Sequence, residues 1–117
     1  MENGKGRVID KSFNFAIEII ELYKELIRNS EFVLSKQLLR SSTSIGANVN
    51  EAQAAASKKD FLNKMCIAAK EARETDYWLK LLSKSQFVKN DYTKYLNDIN
   101  ELIKMLTAIV KSTKNNL

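Results

Sequence analysis

The chain has 117 residues, with 19 Lys and Arg against 14 Asp and Glu, no histidine and a single cysteine. One cysteine excludes an intrachain disulfide, and the missing histidine removes the commonest general base and the commonest metal ligand. Because the chain has no proline and only three glycines, helix breakers are almost absent, which is typical of an all-α protein.

Hydropathy and charge distribution indicate where the chain resides and what it binds. No stretch approaches the ~18 consecutive apolar residues of a membrane-spanning helix, and residues 1–13 lack the apolar run of a signal peptide. We therefore expect a cytoplasmic protein with no membrane partner. Residues 1–56 hold seven cations and seven acids, whereas residues 57–117 hold twelve cations and seven acids. The second half therefore carries the whole net charge of +5, which favours an acidic partner such as nucleic acid.

The first predicted helix runs from Lys11 to Arg28 and follows a tail formed by residues 1–10. Apolar residues repeat along it at steps of three and four, on a face wider than the seam of a two-stranded coil. Ser30 then provides an N-cap for the next helix. The apolar face has two stripes, one formed by Phe13, Ile17, Ile20 and Ile27 and the other by Phe15, Ile19, Leu22 and Leu26.

The second predicted helix runs from Glu31 to Ala55, and its middle, residues 41–47, is rich in Ser and Thr. Because such residues bond back to the preceding turn and leave room for a neighbouring backbone, we expect a bend or a tight crossing near Gly46. The same helix carries polar residues in one line at steps of four, four and three, the spacing of a single helix face. This polar ladder consists of Arg40, Ser44, Asn48 and Glu51.

A capping box formed by Ser57 and Asp60 predicts a third helix from Lys58 to Lys84. A fourth helix is predicted from Asp91 to Ser112, with a frayed end at residues 113–117. Both helices carry an apolar seam that repeats at steps of three and four, as a core-facing helix requires.

Four helices joined by short links predict one domain, residues 1–117, folded as an up-down-up-down antiparallel four-helix bundle. The first and fourth helices carry more apolar residues than one bundle seam uses, and a large exposed apolar patch usually marks an interface. We therefore expect a homo-oligomer whose contacts are made by these two helices. The residues expected there are Phe15, Ile19, Leu22 and Leu26 on the first helix and Tyr95, Leu102, Met105 and Ile109 on the fourth.

Two carboxylates of the third helix, Glu71 and Glu74, lie among large apolar residues. In an antiparallel hairpin centred near Ala56, Arg40 lies opposite the point that these glutamates bracket, so we expect it to pair with one or both. The polar ladder and the two glutamates form either a structural network that fixes helix register or the lining of a groove or an oligomer seam. We expect no metal centre, no cofactor and no catalytic site, because histidine and phosphate-binding loops are absent and Arg40 would neutralise the carboxylates.

A basic face is predicted on the third helix, opposite its apolar seam. At 100° per residue its members fall within an arc of about 100°, and they include five cations, one aromatic ring and no acid. Such a stripe can follow a phosphate backbone, and its tyrosine can stack on a base; the alternative is an ordinary solvated helix face. Asn63 and Cys66 share the arc, and the residues predicted to contact RNA or DNA are Lys59, Lys70, Arg73, Tyr77, Lys80 and Lys84.

Residues 40–82 resemble the four-helix-bundle family of 23S rRNA intervening-sequence proteins. Many members have Gly after the Glu of an Asn-x-x-Glu motif where this chain has Ala52, so the second helix is expected to continue through this point. The positions that carry the resemblance are Arg40-Ser41, Ser44-Ile45, Asn48, Glu51, Ser57 with Asp60-Phe61, Ile67-Ala68, Glu71-Ala72, Glu74 and Tyr77-Trp78-Leu79.

The resemblance implies a four-helix bundle that assembles into a ring-like homopentamer. The family includes relatives of the accessory protein of diversity-generating retroelements, which bind nucleic acid and a reverse transcriptase through basic surfaces, whereas the role of most members is unknown. The sequence therefore predicts a non-catalytic oligomeric bundle, a pentamer by preference, that binds RNA or DNA. The alternative is a protein-binding scaffold or accessory subunit, with a reverse transcriptase or another protein as partner and no direct contact with nucleic acid.

Overall fold

The apolar side chains of the helices meet in one buried cluster. In the computed structural model, which describes residues 4–117, the four helices are α1 (Gly4–Arg28), α2 (Leu34–Ala52), α3 (Lys58–Ser85) and α4 (Thr93–Asn115). Each helix packs against the next one in the chain, and α4 packs against α1. The predicted all-α, up-down-up-down antiparallel bundle is thereby confirmed, and it measures 46 by 23 by 21 Å. Within the described residues, no helix combines the length and the apolar character that crossing a bilayer requires.

The core is built from the repeats at steps of three and four that the sequence shows. On α3, for example, Met65, Ala68 and Leu79 are completely buried. Burial of one large aliphatic side chain contributes roughly 1.5–3 kcal/mol, so every helix is held mainly by this cluster. The largest fully buried side chains are Tyr92, Ile19, Leu22, Leu26, Leu38, Ile45, Met65, Leu79, Leu82, Ile99, Leu102 and Leu106.

The structure corrects the assignment of the surplus apolar residues. The α1 stripe expected at an interface is core instead, and none of its members is more than 3% exposed. The other stripe faces outward at two positions, with Phe13 65% and Ile17 49% exposed. Periodicity shows two stripes, but only the directions from which α2 and α4 approach decide which one is buried. Of the residues expected at the interface, those in the core are Phe15, Ile19, Leu22, Leu26 and Leu102, and those half-buried against it are Tyr95, Met105 and Ile109.

Helix α1 begins earlier than predicted, because its first turns contribute to the core. Residues 4–10 of the expected tail are helical, Val8 is completely buried, and Ile9 packs against the cluster. This burial outweighs the low helix propensity of the glycines nearby. Residues 1–3 of the expected tail lie outside the described residues.

The other end of the chain also remains helical for longer than predicted. Helix α4 continues to Asn115, past the expected end at Ser112. The Thr113 hydroxyl donates to the carbonyl of Ile109 at 2.7 Å, within the last turns. Of the segment expected to fray, only residues 116 and 117 lie outside the helix.

The start of α2 is capped by Glu31 and not, as predicted, by Ser30. Ser30 has a φ of 63°, in the left-handed region, at the end of α1. The Glu31 carboxylate accepts the backbone N–H groups of Val33, Leu34 and Ser35 at 3.3, 3.0 and 2.5 Å. Glu31 is only 5% exposed. A buried carboxylate thus satisfies the free N–H groups of the first turn, where the helix dipole also favours negative charge.

Helix α2 ends at Ala52 and does not continue to Ala55 as expected. The backbone N–H of Gln53 bonds to the carbonyl of Asn50 at 3.2 Å, and that of Ala54 bonds to Glu51 at 3.1 Å. These bonds reach back three residues instead of four, which tightens the chain into a turn. Alanine at position 52 therefore does not prolong the helix.

Helix α3 begins at the predicted cap. The Ser57 hydroxyl accepts the backbone N–H of Asp60 at 3.0 Å, and the Asp60 carboxylate accepts the N–H of Ala56 at 3.2 Å. The cap fixes the N-terminus of the longest helix, which carries the predicted basic face.

Helices α1 and α2 cross closely at Gly46, as the small residues of this segment predict. A Cβ atom placed on Gly46 would lie 3.5 Å from the backbone oxygen of Ser12, in van der Waals contact. The hydroxyls of Ser42 and Thr43 bond back to the carbonyl of Leu39 at 3.2 and 2.8 Å. Their hydrogen-bonding capacity is thus used inside α2, which leaves the crossing point free for the neighbouring backbone.

Replacing Glu31 with alanine is expected to lower the free energy of unfolding by about 2 kcal/mol, because three backbone N–H groups lose a charged acceptor. Urea unfolding followed by circular dichroism measures the change. The matched control is Glu21→Ala on α1, whose carboxylate is 66% exposed and pairs with Lys24. This control should cost no more than ~0.5 kcal/mol. Equal destabilisation by the two variants would contradict the assignment of Glu31 as the cap.

Candidate nucleic-acid interface

Arg40 on α2 lies between the two glutamates of α3. Its Nη1 is 3.3 Å from Glu71 Oε1, and its Nη2 contacts Glu74 Oε2. The indole N–H of Trp78 donates to the same Glu74 oxygen at 3.0 Å. The side chains are 50% exposed for Arg40, 18% for Glu71 and 34% for Glu74. The network is therefore half-buried, and the guanidinium supplies the positive charge that two neighbouring carboxylates require.

A buried hydrogen bond beside this network fixes the register of α2 against α3. The hydroxyls of Ser41 and Thr75 are 2.8 Å apart, and both residues are fully buried. The Thr75 hydroxyl also donates to the carbonyl of Glu71 at 2.9 Å. Because Ser41 follows Arg40 and Thr75 follows Glu74, the two contacts specify the same alignment of the helices.

The four residues of the polar ladder do not form one network. The Asn48 amide donates to the carbonyl and the hydroxyl of Ser44 at 2.9 and 3.2 Å, within α2. Glu51 pairs with Lys64 of α3 at 3.0 Å, and this hydrogen bond raises the pKa of Lys64. The ladder therefore divides into three separate contacts, and Arg40 belongs with the glutamates of α3.

The predicted basic face lies on the outer side of α3. Every one of its six predicted contact residues is exposed. Tyr77 is 54% exposed, and its ring packs edge-on against Trp78 with the ring centroids 5.2 Å apart. At 1.5 Å per helical residue, Lys59 and Lys84 are separated by about 38 Å. This length spans several successive phosphates of an extended strand.

Two of the five cations on this face have protein partners. Lys80 Nζ is 2.9 Å from Asp76 Oδ2, and Arg73 donates to the hydroxyl of Thr107 on α4 at 3.4 Å. Asp76 lies outside the arc but reaches it across one helical turn, so the face is not free of negative charge. The remaining three cations form no ion pair with any described residue: Lys59, Lys70 and Lys84.

A second charged region, which the sequence did not reveal, lies in a groove of 470 Å³ between α1 and α4. Lys94 pairs with Asp98 at 2.8 Å and with Glu18, and Lys11 pairs with Glu101 at 2.7 Å. The hydrogen bonds that Lys94 donates to the Asp98 and Glu18 carboxylates raise the pKa of Lys94. Cations here are matched by acids, so the groove has no positive excess. The Lys94–Glu18 and Lys11–Glu101 pairs cross between helices, and spacing along one helix could not reveal them.

Arg40→Ala is expected to lower the free energy of unfolding by about 1–2 kcal/mol. This is less than the ~3 kcal/mol lost when a fully buried pair is broken, because half of the guanidinium is in solvent. Thermal and urea unfolding measure the loss. The stability of Arg40→Lys should lie between those of the wild type and Arg40→Ala, because lysine keeps the charge but not the planar fork of the guanidinium. The matched control is Lys64→Ala, which removes the solvent-exposed pair with Glu51 and should unfold close to the wild type. Wild-type stability in Arg40→Ala would show that the network does not hold α2 on α3.

Comparison with known proteins places the chain in a family. Residues 5–108 match the family described as 23S rRNA-intervening sequence protein. The chain is also similar to a solved structure of a protein with unknown function, from the S23 ribosomal protein family of Bacteroides thetaiotaomicron. The two chains are 49% identical with a TM-score of 0.89, over 93% of this chain and 99% of the other. No curated protein matches the chain. Because the match covers nearly all of the bundle, the chain belongs to the 23S rRNA-intervening sequence protein family.

Proposed function

We propose that this protein is a non-catalytic, oligomeric bundle that binds RNA or DNA through the outer face of α3. The observation that carries the proposal is a row of three exposed cations, Lys59, Lys70 and Lys84, that no described acid neutralises. Phosphate groups provide the negative charge that such a row attracts. Tyr77, 54% exposed in the same row, can stack on a base whatever its identity.

The chemistry of the remaining polar groups supports a binding role. The carboxylates of Glu71 and Glu74 are engaged by Arg40. Cys66 is half-buried, and the chain contains no histidine that could activate it. The two glutamates are thus occupied, and Cys66 lacks a partner that could activate it.

A second candidate function is a protein-binding scaffold or accessory subunit. The observation that favours it is the pair of exposed apolar side chains on α1, Phe13 and Ile17. Phe13 borders a groove of 400 Å³ between α1 and α2 that small residues line, among them Ala16, Gly46 and Ala47. A large apolar side chain beside small residues suits an interface with another protein, including a second copy of this chain. If the partner is a second copy of this chain, the oligomer can still bind nucleic acid, because the contact on α1 and the basic face on α3 use different sides of the bundle.

We expect the wild-type protein to be an oligomer, a pentamer by preference, with Phe13 and Ile17 at its contacts. Replacing both by glutamate should shift the mass towards that of a monomer, because apolar contact is lost and like charges meet. Light scattering at micromolar concentration measures the mass. The matched control is Phe87→Glu, at a residue 68% exposed in a loop, and it should keep the wild-type mass. A monodisperse wild-type monomer would exclude the oligomer, and an unchanged mass in the double variant would exclude this contact.

A fourfold variant in which glutamine replaces Lys70, Arg73, Lys80 and Lys84 should keep its fold, because exposed charges contribute little to stability. Each phosphate contact that is lost should reduce the slope of log affinity against log salt by roughly 0.7–0.9. Lys70 and Lys84 should account for most of the change, since the other two have protein partners. Salt titrations with RNA and DNA of short and long length measure the slope, and binding should increase steeply with length if an oligomer repeats the face.

The matched control for this experiment changes the net charge equally on other surfaces. If the control variant loses as much affinity for nucleic acid as the fourfold variant, the net charge of the protein and not the α3 face determines binding. Equal binding by the wild type and the fourfold variant would exclude α3 as the site, and no binding by the wild type would favour the scaffold. The control residues, all exposed, are Arg7, Lys24, Lys104 and Lys114.

A further inference from the structure

The two loops at one end of the bundle expose three large apolar side chains. Because the helices are antiparallel, the α1–α2 loop and the α3–α4 loop lie at the same end. Phe32 and Val33 in the first loop are 62% and 72% exposed, and Phe87 in the second is 68% exposed. We call this surface, with the cations around it, the loop tip: Arg28, Phe32, Val33, Lys36, Lys84, Phe87 and Lys89.

The register of α2 and α3 places the exposed rings of both loops at the same level. The Ser41–Thr75 hydrogen bond aligns the two antiparallel helices. Counting seven residues back from Ser41 and seven forward from Thr75 puts Leu34, the first residue of α2, level with Leu82 (~10 Å from the bond at 1.5 Å per residue). Phe32 lies two residues before the start of α2, and Phe87 lies two residues beyond the end of α3 at Ser85.

Contacts beneath the loop tip anchor the second loop on the bundle. The Asn90 amide of the second loop donates to the Glu25 carboxylate of α1 at 3.2 Å. Tyr92 is 1% exposed, and its hydroxyl donates to the carbonyl of Val88 at 2.8 Å. Burial raises the pKa of Tyr92, and the charges of Glu25 and Glu31 add to the effect. The second loop is therefore anchored without any contribution from the exposed ring of Phe87.

The charge around these side chains is predominantly positive. Arg28, Lys36, Lys84 and Lys89 are exposed and form no ion pair with any described residue. Of the acids nearby, Glu25 accepts the Asn90 amide, and Glu31 is buried with its carboxylate on three backbone N–H groups. Asp91 accepts the backbone N–H of Thr93 at 3.0 Å. Four cations without an ion-pair partner among the described residues thus lie at the same end of the bundle as the two exposed aromatic rings.

We propose that the loop tip is a stacking platform for the bases of single-stranded RNA or DNA, with Phe32 and Phe87 as the stacking rings. The proposal rests on the function proposed above and names the class of nucleic acid. Base faces are accessible in a single strand and hidden in a duplex, whereas both forms present phosphates. Lys84 belongs both to the basic face of α3 and to the loop tip, so one strand can follow α3 and place its bases on the two rings.

The test compares a single strand of about 20 nucleotides, a length that covers the face and the tip, with a duplex of the same length by fluorescence anisotropy. Phe32→Ala with Phe87→Ala should weaken binding of the single strand by at least ~5-fold for each ring that stacks on a base, leaving the duplex affinity and the salt slope unchanged. Replacement of both by tryptophan should retain the affinity. Replacement of both by leucine, the matched control, keeps an apolar side chain without a π face and should lose affinity as the alanine variant does.

Other outcomes separate this proposal from the one on which it rests. Equal affinity for single strand and duplex, or unchanged affinity in the alanine variant, would overturn the stacking platform and leave α3 as the binding face. Wild-type affinity in the leucine variant would also overturn it, because apolar contact would then suffice. If light scattering gives a lower mass for the alanine variant, the loop tip is a contact between copies of the chain, and the stacking proposal is overturned. No binding of either form by the wild type would overturn both proposals.

Discussion

The register of α2 against α3 is the constraint on which the other surfaces depend. The hydroxyls of Ser41 and Thr75 fix it inside the bundle, and the contacts of Arg40 with the two glutamates fix it at the surface. A slip of one residue would separate both sets of partners, and polar groups that lose their partners on burial are costly. Once the register is fixed, the seam of α3 faces inward, its cations face solvent, and the loops of both hairpins end at the same level.

The net charge of each surface of the bundle depends on how the helices pair, and not only on the sequence of each helix. Between α1 and α4, lysines are matched by acids across the groove, so that side of the bundle has little field of its own. On α3 and at the loop tip several cations are left without acid partners among the described residues. The positive potential is therefore focused on one side and one end of the molecule. The exposed apolar residues of α1 lie on a different helix, so the proposed self-assembly and the proposed nucleic-acid binding use separate surfaces.

The class of fold and the start of α3 could be predicted, because both depend on local signals. Ser57 caps α3 as its spacing to Asp60 predicts, and the apolar repeats identify the helices. The pairing of Arg40 with α3 also followed from counting, since a short connection allows one antiparallel alignment. The predicted start of α1 at Lys11 was wrong, because burial of Val8 outweighs the low helix propensity of the nearby glycines. The prediction of Ser30 as the cap of α2 was wrong, because the burial of Glu31 against the first turn of that helix comes from tertiary contacts.

The sequence by itself determined that the chain is helical, how many helices the bundle contains, which face of α3 is basic and that Arg40 can reach α3. These features depend on residues that are close in sequence or on one short turn. Only the tertiary structure decided which stripe of α1 is core and which exposes Phe13 and Ile17. It also decided which cations are neutralised, as in the pairing of Lys94 with Glu18, and that aromatic rings of two distant loops share one end. The physical reason is that helical periodicity fixes the angle of a side chain around its own axis, whereas burial and charge pairing depend on the helices that approach it.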